Sequence, residues 1–504
     1  MTTSEDRVPG GGAAGSAPLA NPKRWTALVF ICLAQLMVVL DITIVNIALP
    51  EMQADLSFSN ENRQWVVTSY TLAFGSLLLL GGRIADYTGR KRAFLIALAG
   101  FAIASCLGGA AGNIEMLLTA RALQGVFGAL LAPTALSLIT VNFTDQRERA
   151  KAFSIFGGIV ASGAVIGLLL GGLLTEYLDW TWCMYVNAPI AVIAAFGVLY
   201  LGPEQRAAVR AKFDIPGVLL VTTGLVAIVY ACSEAESEGW GSGLVLGLFA
   251  TGAVLLAAFV AVEARSTHPL LPLSVISDRT RGSSYLAVGV AMIAMLGALF
   301  FLTFYLQLVK GYSPVETGLA FLPLPLGVGM FAGGVSTKLI PKVPPRALVV
   351  PGMVIATCAL FWLAALDPGS SYWTMVAPAL YVQGAGMGLV IATAMNYATY
   401  RIADEHAGVA SGTVNTAQQI GGSIGTALLS TLAADAAAEY LKEHAAQGKD
   451  PAVVHQAMTE GFTTAFTWAG VIMACGAVAI AALMNTPKPQ PGEAASGSAL
   501  AHMG

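Results

Sequence analysis

Charge is what this chain has least of. Aspartate, glutamate, lysine and arginine make up 11% of its 504 residues, where a soluble domain carries about 25%. So few charges cannot cover a water-facing surface of this size, which excludes a soluble globular protein. The five histidines (His268, His406, His444, His455 and His502) all fall outside the apolar runs. A proton relay inside a membrane would therefore have to use carboxylates. The six cysteines form no CxxC pair, so neither a disulfide framework nor a metal site is indicated. There is no phosphate-binding loop, no metal-spaced cluster and no nucleophile–histidine constellation. These absences argue against an enzyme and against ATP as the energy source, and no cofactor or metal is expected. No basic patch suggests nucleic acid, and the net charge of −3 says little when charge is segregated by membrane side.

What fills the chain is apolar sequence, 56% of residues, with a mean hydropathy of +0.71. About 20 apolar residues cross a bilayer. Runs of that order lie at about 26–49, 64–82, 93–111, 114–141, 151–175, 183–201, 215–233, 243–263, 284–308, 316–336, 347–366, 373–399, 411–432 and 463–484. The expectation is an all-α membrane protein with 14 transmembrane helices. Residues 1–24 and 485–504 are rich in glycine, alanine, proline or serine and read as disordered tails. The N-terminal tail lacks a compact basic start and a cleavage site, so the first span is expected to be retained.

Lysine and arginine test the topology. With both termini inside, the outer loops hold only Arg63, Lys310, Lys442 and Lys449, and Arg121 lies within a span. All other basic residues fall on inner segments, as the positive-inside rule requires. At the outer end of span seven, Glu234, Glu236 and Glu238 read as a solvated loop or as a vestibule attractive to cations. Residues 433–462 suggest an outer amphipathic helix lying over the protein.

The chain repeats weakly. Gln124-Gly125 with Gly128 resembles Gln383-Gly384 with Gly386 and Gly388, and Ala150 to Ser154 resembles Ala407 to Ser411 at a similar offset. This suggests a six-helix bundle over 25–202, two inserted helices over 203–282 and a second six-helix bundle over 283–484. Parallel halves around a central cavity are a known transporter plan.

Asp41 is the one ionisable residue well inside the first run, WTALVFICLAQLMVVLDITIVNIALP. A carboxylate at that depth is costly and marks a functional candidate, for a proton, a substrate or an ion pair. A structural acid near a helix end is the plainer alternative. At 1.5 Å per residue, Asp41 lies roughly 13 Å from the outer end of span one and Arg121 roughly 10 Å from the outer end of span four. The two opposite charges share a depth, so a buried pair or a wet cavity is expected, with both facing one central cavity. Asn46, Gln124, Asn415, Gln418 and Gln419 are candidate polar contacts for a substrate there, or hydrogen-bonding glue between helices. The loop GGRIADYTGRKRAF (81–94) sets Gly82, Asp86, Gly89, Arg90 and Lys91 at a short inner link where a helix end could dock and release. Gly82 and Gly89 read as positions for a tight turn and close helix approach. Gly163, Gly167 and Gly171 repeat every fourth residue on one helix face, suited to close packing or sliding.

These motifs carry a resemblance. GRIADYTGRKRAF is similar to the signature between helices two and three of the major facilitator superfamily. LDITIVNIALP (40–50) resembles the first-helix signature of that superfamily's fourteen-span drug:proton antiporter family. Arg121, Gln124 and Gly125 in RALQGVFG resemble its fourth-helix motif, Gly163, Gly167, Gly171 and Gly172 its fifth-helix antiporter motif, and Gln418, Gln419, Gly421, Gly422 and Gly425 its thirteenth span. The likeness covers residues 25 to 485. There are departures: Leu168 stands where proline usually follows the second glycine, Trp180-Thr181-Trp182 replaces an aromatic-Arg-aromatic triplet, and Lys338 stands where the first half has Asp86.

The resemblance implies a major facilitator fold in the cytoplasmic membrane, functional as a monomer with both termini cytoplasmic. The implied activity is proton-coupled efflux of amphipathic drugs or antibiotics by alternating access. Asp41 and Arg121 would couple the proton. A facilitator or proton symporter for a small metabolite, and a non-transporting membrane sensor or scaffold, are the competing readings.

Overall fold

The computed structural model describes residues 23–143, 146–199, 214–266, 271, 273–340, 342–398, 400, 407–444 and 450–484. Residues 1–22 and 485–504 of the two expected tails and the segments between these ranges lie outside the described residues, and Arg24 already belongs to the first helix.

Every regular element among the described residues is a helix, without a β-strand. The helices are α1 (Arg24–Leu56), α2 (Asn60–Thr88), α3 (Arg90–Gly109), α4 (Ile114–Asn142), α5 (Gln146–Tyr177), α6 (Thr181–Tyr185), α7 (Asn187–Leu199), α8 (Ile215–Glu238), α9 (Gly243–Glu263), α10 (Leu273–Ser277), α11 (Arg279–Phe304), α12 (Pro314–Ala320), α13 (Pro323–Gly329), α14 (Thr337–Leu339), α15 (Arg346–Leu363), α16 (Ala377–Ala398), α17 (Ala407–Glu443) and α18 (Pro451–Leu483). Short π-helical stretches extend α11 over Tyr305–Val309, join α13 to α14 over Met330–Ser336 and lead into α16 over Tyr372–Val376. Twelve segments among the described residues are long and apolar enough to cross a membrane. This makes the chain a multi-pass membrane protein. The expected spans two and five are not among the twelve. They correspond to α2, of 29 residues, and α5, of 32 residues, and part of α5 appears as a shorter apolar helix, Val165–Tyr177.

Polar side chains start the helices where loops leave the apolar runs. Asn113 accepts from the Met116 amide at the head of α4, Ser242 from Val245 at α9, Asp278 from Thr280 and Arg281 at α11, and Asp450 from Ala452 at α18. Each satisfies a first-turn amide that the helix cannot. Proline then decides where helices break. Pro323 and Pro325 open α13 after a turn at Phe321–Leu322, so the expected span at 316–336 is interrupted. Pro133 sits inside an unbroken α4. It leaves the Ala129 carbonyl without its helical donor.

The expected amphipathic helix over 433–462 is not a separate element. α17 runs on to Glu443 and α18 begins at Pro451. The alanine-rich segment supports helix beyond the apolar run, so the two spans are prolonged instead.

In packing, α1 lies on α5 and α7, α4 on α2 and α3, and α3 on α7. Farther along the chain, α11 packs on α16, α17 and α18, and α15 on α16 and α18. α2 meets α17, and α5 meets α12. α8 pairs with α9 and also touches α2 and α17. Thr431 Oγ1 on α17 donates to the Cys232 carbonyl on α8 at 2.8 Å.

Without water to drive helices together, close backbone contact does much of the holding, and glycine permits it. A Cβ on Gly81 would lie 2.1 Å from the Ala129 oxygen, the carbonyl freed by Pro133. Gly82, expected to be the tight position, would meet nothing nearer than the Pro133 side chain at 3.7 Å. Gly89 is the single residue between α2 and α3 and has φ 97° and ψ 134°, a region open to little but glycine. Gly89→Ala should therefore cost about 1–3 kcal/mol, while Gly82→Ala should change stability by less than about 0.5 kcal/mol. Thermal unfolding of the two purified variants in detergent checks the contrast, and equal losses would contradict it.

Candidate functional site

The apolar run of α1 brings Asp41 into the bundle with no solvent exposure, and Arg121 of α4 is 1% exposed. Arg121 Nη1 reaches Asp41 Oδ2 at 2.6 Å. The two lone charges that the sequence set at similar depth form one buried ion pair. Of the two settings expected, a buried pair or a wet cavity, the structure holds the pair: both side chains are sealed by the helices around them, and no open cavity reaches them.

The rest of the site is hydrogen bonding to this pair. Gln124 lies one turn beyond Arg121 on α4. It donates through Nε2 to Asp41 Oδ1 at 2.9 Å and to Ser105 Oγ of α3 at 2.7 Å, and it accepts from Arg121 Nη1 through Oε1 at 2.8 Å. Arg121 Nε donates to the Val66 carbonyl of α2 at 3.1 Å, and its guanidinium lies 4.5 Å from the centre of the Tyr70 ring. Asn187 of α7 donates through Nδ2 to Asp41 Oδ1 at 2.7 Å. Five helices thus converge on one carboxylate and one guanidinium. Pairing and complete hydrogen bonding are what make a buried charge tolerable. Removing either partner alone leaves an uncompensated charge.

Asn187 is in place because the chain breaks there. Pro189 lacks the amide that would continue a helix from α6. α6 ends at Tyr185 and α7 begins at Asn187, so the asparagine sits at the joint, fully buried. Sequence reasoning missed it, along with Ser105, Tyr70 and the Val66 carbonyl. Its signal was a polar residue two positions before a proline within an apolar run.

The other expected site residues fall elsewhere. Gln124, a candidate substrate contact, is fully buried and committed to the ion pair. Asn46 is 3% exposed and donates to the Ile42 carbonyl of its own helix at 2.9 Å. Asn415, Gln418 and Gln419 are half-buried on α17. A Cβ on Gly75 of α2 would sit 2.8 Å from the Gln419 Cβ, and near that crossing Thr71 and Ser423 share a 2.6 Å hydrogen bond. Gly421 and Gly425 seat α17 on the α11 backbone at Gly289 and Ile293. At the inner link, Lys91 Nζ donates to the Leu199 carbonyl at the end of α7 at 3.2 Å, and Arg90 is half-buried. The Asp86 side chain lies outside the described residues.

The glycines of α5 have two partners. Gly163, Gly167 and Gly171 face α1, against Val39, Thr43 and Ile44. Gly172 faces α12, where a Cβ would lie 2.7 Å from the Pro314 oxygen. At the same end of the bundle, Glu176 accepts from Ser313 Oγ at 2.6 Å and from the Val315 amide at 3.0 Å. Gln307 donates to the Ile47 carbonyl at 3.0 Å, and Arg63 lies 3.8 Å over the Phe304 ring. This end is held shut by contacts from both parts of the chain.

The internal repeat is not repeated in chemistry. Carrying the Gln124-to-Gln383 offset to Asp41 and Arg121 lands on Phe300 and Leu380. Gln383 is 1% exposed, and neither of its amide atoms has a hydrogen-bond partner. The ion pair belongs to the N-terminal part alone.

Fold and site together define a multi-pass helical membrane protein of the transporter type. The family model described as Major Facilitator Superfamily matches residues 31–426. The chain is 47% identical over 493 residues to the puromycin resistance protein pur8 of Streptomyces alboniger, covering 97% of each chain. It is 38% identical over 411 residues to the cephamycin export protein CmcT of Amycolatopsis lactamdurans, covering 81% of this chain and 84% of that one. It is 32% identical over 460 residues to the lincomycin resistance protein of Streptomyces lincolnensis, covering 91% of each. Among solved structures, a bacterial homolog of the human lysosomal transporter Spinster, inward-facing and unoccupied, matches with a TM-score of 0.66 at 17% identity, over 92% of this chain and 98% of that one. The chain belongs to the Major Facilitator Superfamily, a family of transporters and not of enzymes. The drug:proton antiporters that its motifs resemble lie within that superfamily.

Proposed function

We propose that this protein exports amphipathic antibiotics across the cytoplasmic membrane in exchange for protons. The observation that carries the proposal is the sealed Asp41–Arg121 pair, in a chain similar over 81% to 97% of its length to proteins named for antibiotic resistance and export. A proton is the smallest cargo able to neutralise that carboxylate, and neutralisation changes which packing of the helices is favoured. A ligand shifts such an equilibrium only by its differential affinity for the two states.

The proposal includes fourteen spans, with α2 and α5 added to the twelve. The domains would be a bundle over 25–202, inserted helices over 203–282 and a second bundle over 283–484, between cytoplasmic tails 1–24 and 485–504. The positive-inside pattern supports cytoplasmic termini, which places the end closed by Glu176, Ser313 and Gln307 outside. The loop with Gly82, Asp86, Gly89, Arg90 and Lys91 would gate the inner side. α5 would slide on its glycines, and Asn46, Asn415, Gln418 and Gln419 would contact drug once the cavity opens. Function as a monomer is part of the same reading.

Puromycin is the first compound to test, given the 47% identity. Inverted vesicles energised to an acidic lumen should take up puromycin and turn the lumen less acidic as they do. Uptake that survives a protonophore, or that moves no protons, would favour the facilitator reading.

A further inference from the structure

Asp41 Oδ1 receives two N–H groups, from Gln124 Nε2 at 2.9 Å and from Asn187 Nδ2 at 2.7 Å. A proton arriving on Oδ1 becomes a third donor at the same atom, so one amide has to give way. Gln124 is tied at both ends. Its Oε1 accepts from Arg121 and its Nε2 also donates to Ser105. Turning it over would break the contact with Arg121, set an N–H against the guanidinium and require the Ser105 hydroxyl to change from acceptor to donor. Asn187 is tied at one end only. Its Oδ1 is buried and has no hydrogen-bond partner.

Protonation of Oδ2 is the poorer route, because Arg121 Nη1 stands 2.6 Å away and is a donor with nothing to accept. Among the described residues, the other titratable groups facing Asp41 are Tyr70 from α2 and Cys183 from α6, both buried. From α3 comes Ser105, through Gln124. The stretches of α5 and α11 beside α1 carry no charged residue.

We propose that Asn187 is a positioning residue that reads the protonation state of Asp41. Its amide donates to the carboxylate, and it turns over to accept from the acid. The exchange balances simply. A proton from water forms the O–H bond at Oδ1, the N–H···O contact from Asn187 is released, and an O–H···O=C contact to Asn187 Oδ1 replaces it. No bond within the amide changes, and its NH2 moves to the place its carbonyl leaves. The helix joint ahead of Pro189 ties this rotation to α7 and, through α6, to the closed end of the bundle.

The proposal rests on the proton-exchange reading for its consequence in transport, and its own test is separable. In wild-type protein carrying isotope-labelled asparagine, infrared difference spectra between acid and neutral pH should show an asparagine amide band shifting together with a carboxyl band, and the shift should vanish in Asn187→Leu. In vesicles, Asn187→Leu removes a donor to the charged form, so the pH of half-maximal puromycin export should move to more alkaline values by roughly one unit. Asn187→Ser, whose hydroxyl both donates and accepts, should restore much of the wild-type profile. An asparagine amide band that stays fixed through the titration overturns the proposal even if no variant folds. So does an Asn187→Leu variant that loses export equally at every pH. Wild-type export indifferent to the pH gradient would instead overturn the antiport reading, leaving the infrared result to decide the role of Asn187.

Discussion

Asp41→Asn should lower proton-driven export by at least about 100-fold, the equivalent of roughly 2.7 kcal/mol, while the protein still folds. Asparagine keeps the shape of aspartate, and its side-chain carbonyl can still accept from Arg121, which sits 2.6 Å from the carboxylate. What it lacks is the ability to take up and release a proton. Among the described residues the sealed centre holds no second carboxylate beside Arg121, and the matching position in the C-terminal part is Phe300. No neighbour can therefore substitute. The measurement is puromycin uptake into inverted vesicles at matched protein levels, with a pH gradient and without. Gradient-driven uptake that survives in this variant would remove Asp41 from coupling.

The largest loss of stability should come from Arg121→Leu, about 3–5 kcal/mol, the usual consequence of stranding one partner of a buried pair. The change also strips the bond to the Val66 carbonyl, the contact with Gln124 Oε1 and the stacking on Tyr70. The double variant Asp41→Leu/Arg121→Leu should be clearly more stable than Arg121→Leu, because it removes the stranded charge as well. A double-mutant cycle on unfolding in detergent gives the coupling. If the double variant is as unstable as the sum of the singles, the pair is not an electrostatic unit. The double variant should transport nothing under a pH gradient, which separates stability from coupling.

Much of this was legible in the sequence because membranes impose simple rules. Asp41 and Arg121 stood out as lone charges in apolar runs, and equal depth implied a meeting that the structure contains. The partners around them were not legible. Asn187 and Ser105 are neutral polar residues of a kind scattered through many spans, and only helix rotation decides what each one faces. The same limit explains Gly81 and Gly82. Adjacent residues on a helix point about 100° apart, so a motif can mark the right turn and the wrong face. The length of α17 was hidden for another reason. Hydropathy follows lipid contact, whereas an alanine-rich segment stays helical after the lipid ends. Gln124 was open between two parts, substrate contact and hydrogen-bonding glue between helices, because an amide can serve cargo or serve an ion pair, and the residue type is the same in both.

The placement of α5 has a mechanical consequence. One side of this helix carries α1, and with it the carboxylate, on Gly163, Gly167 and Gly171. The other side bears on α12 at Gly172. Little soft side-chain material separates these surfaces from the rod between them. Close-packed interiors transmit displacement in place of absorbing it. A shift of α1 by even the width of a methyl group would arrive at the far face almost undiminished, as a push rod delivers the motion of a cam to a valve.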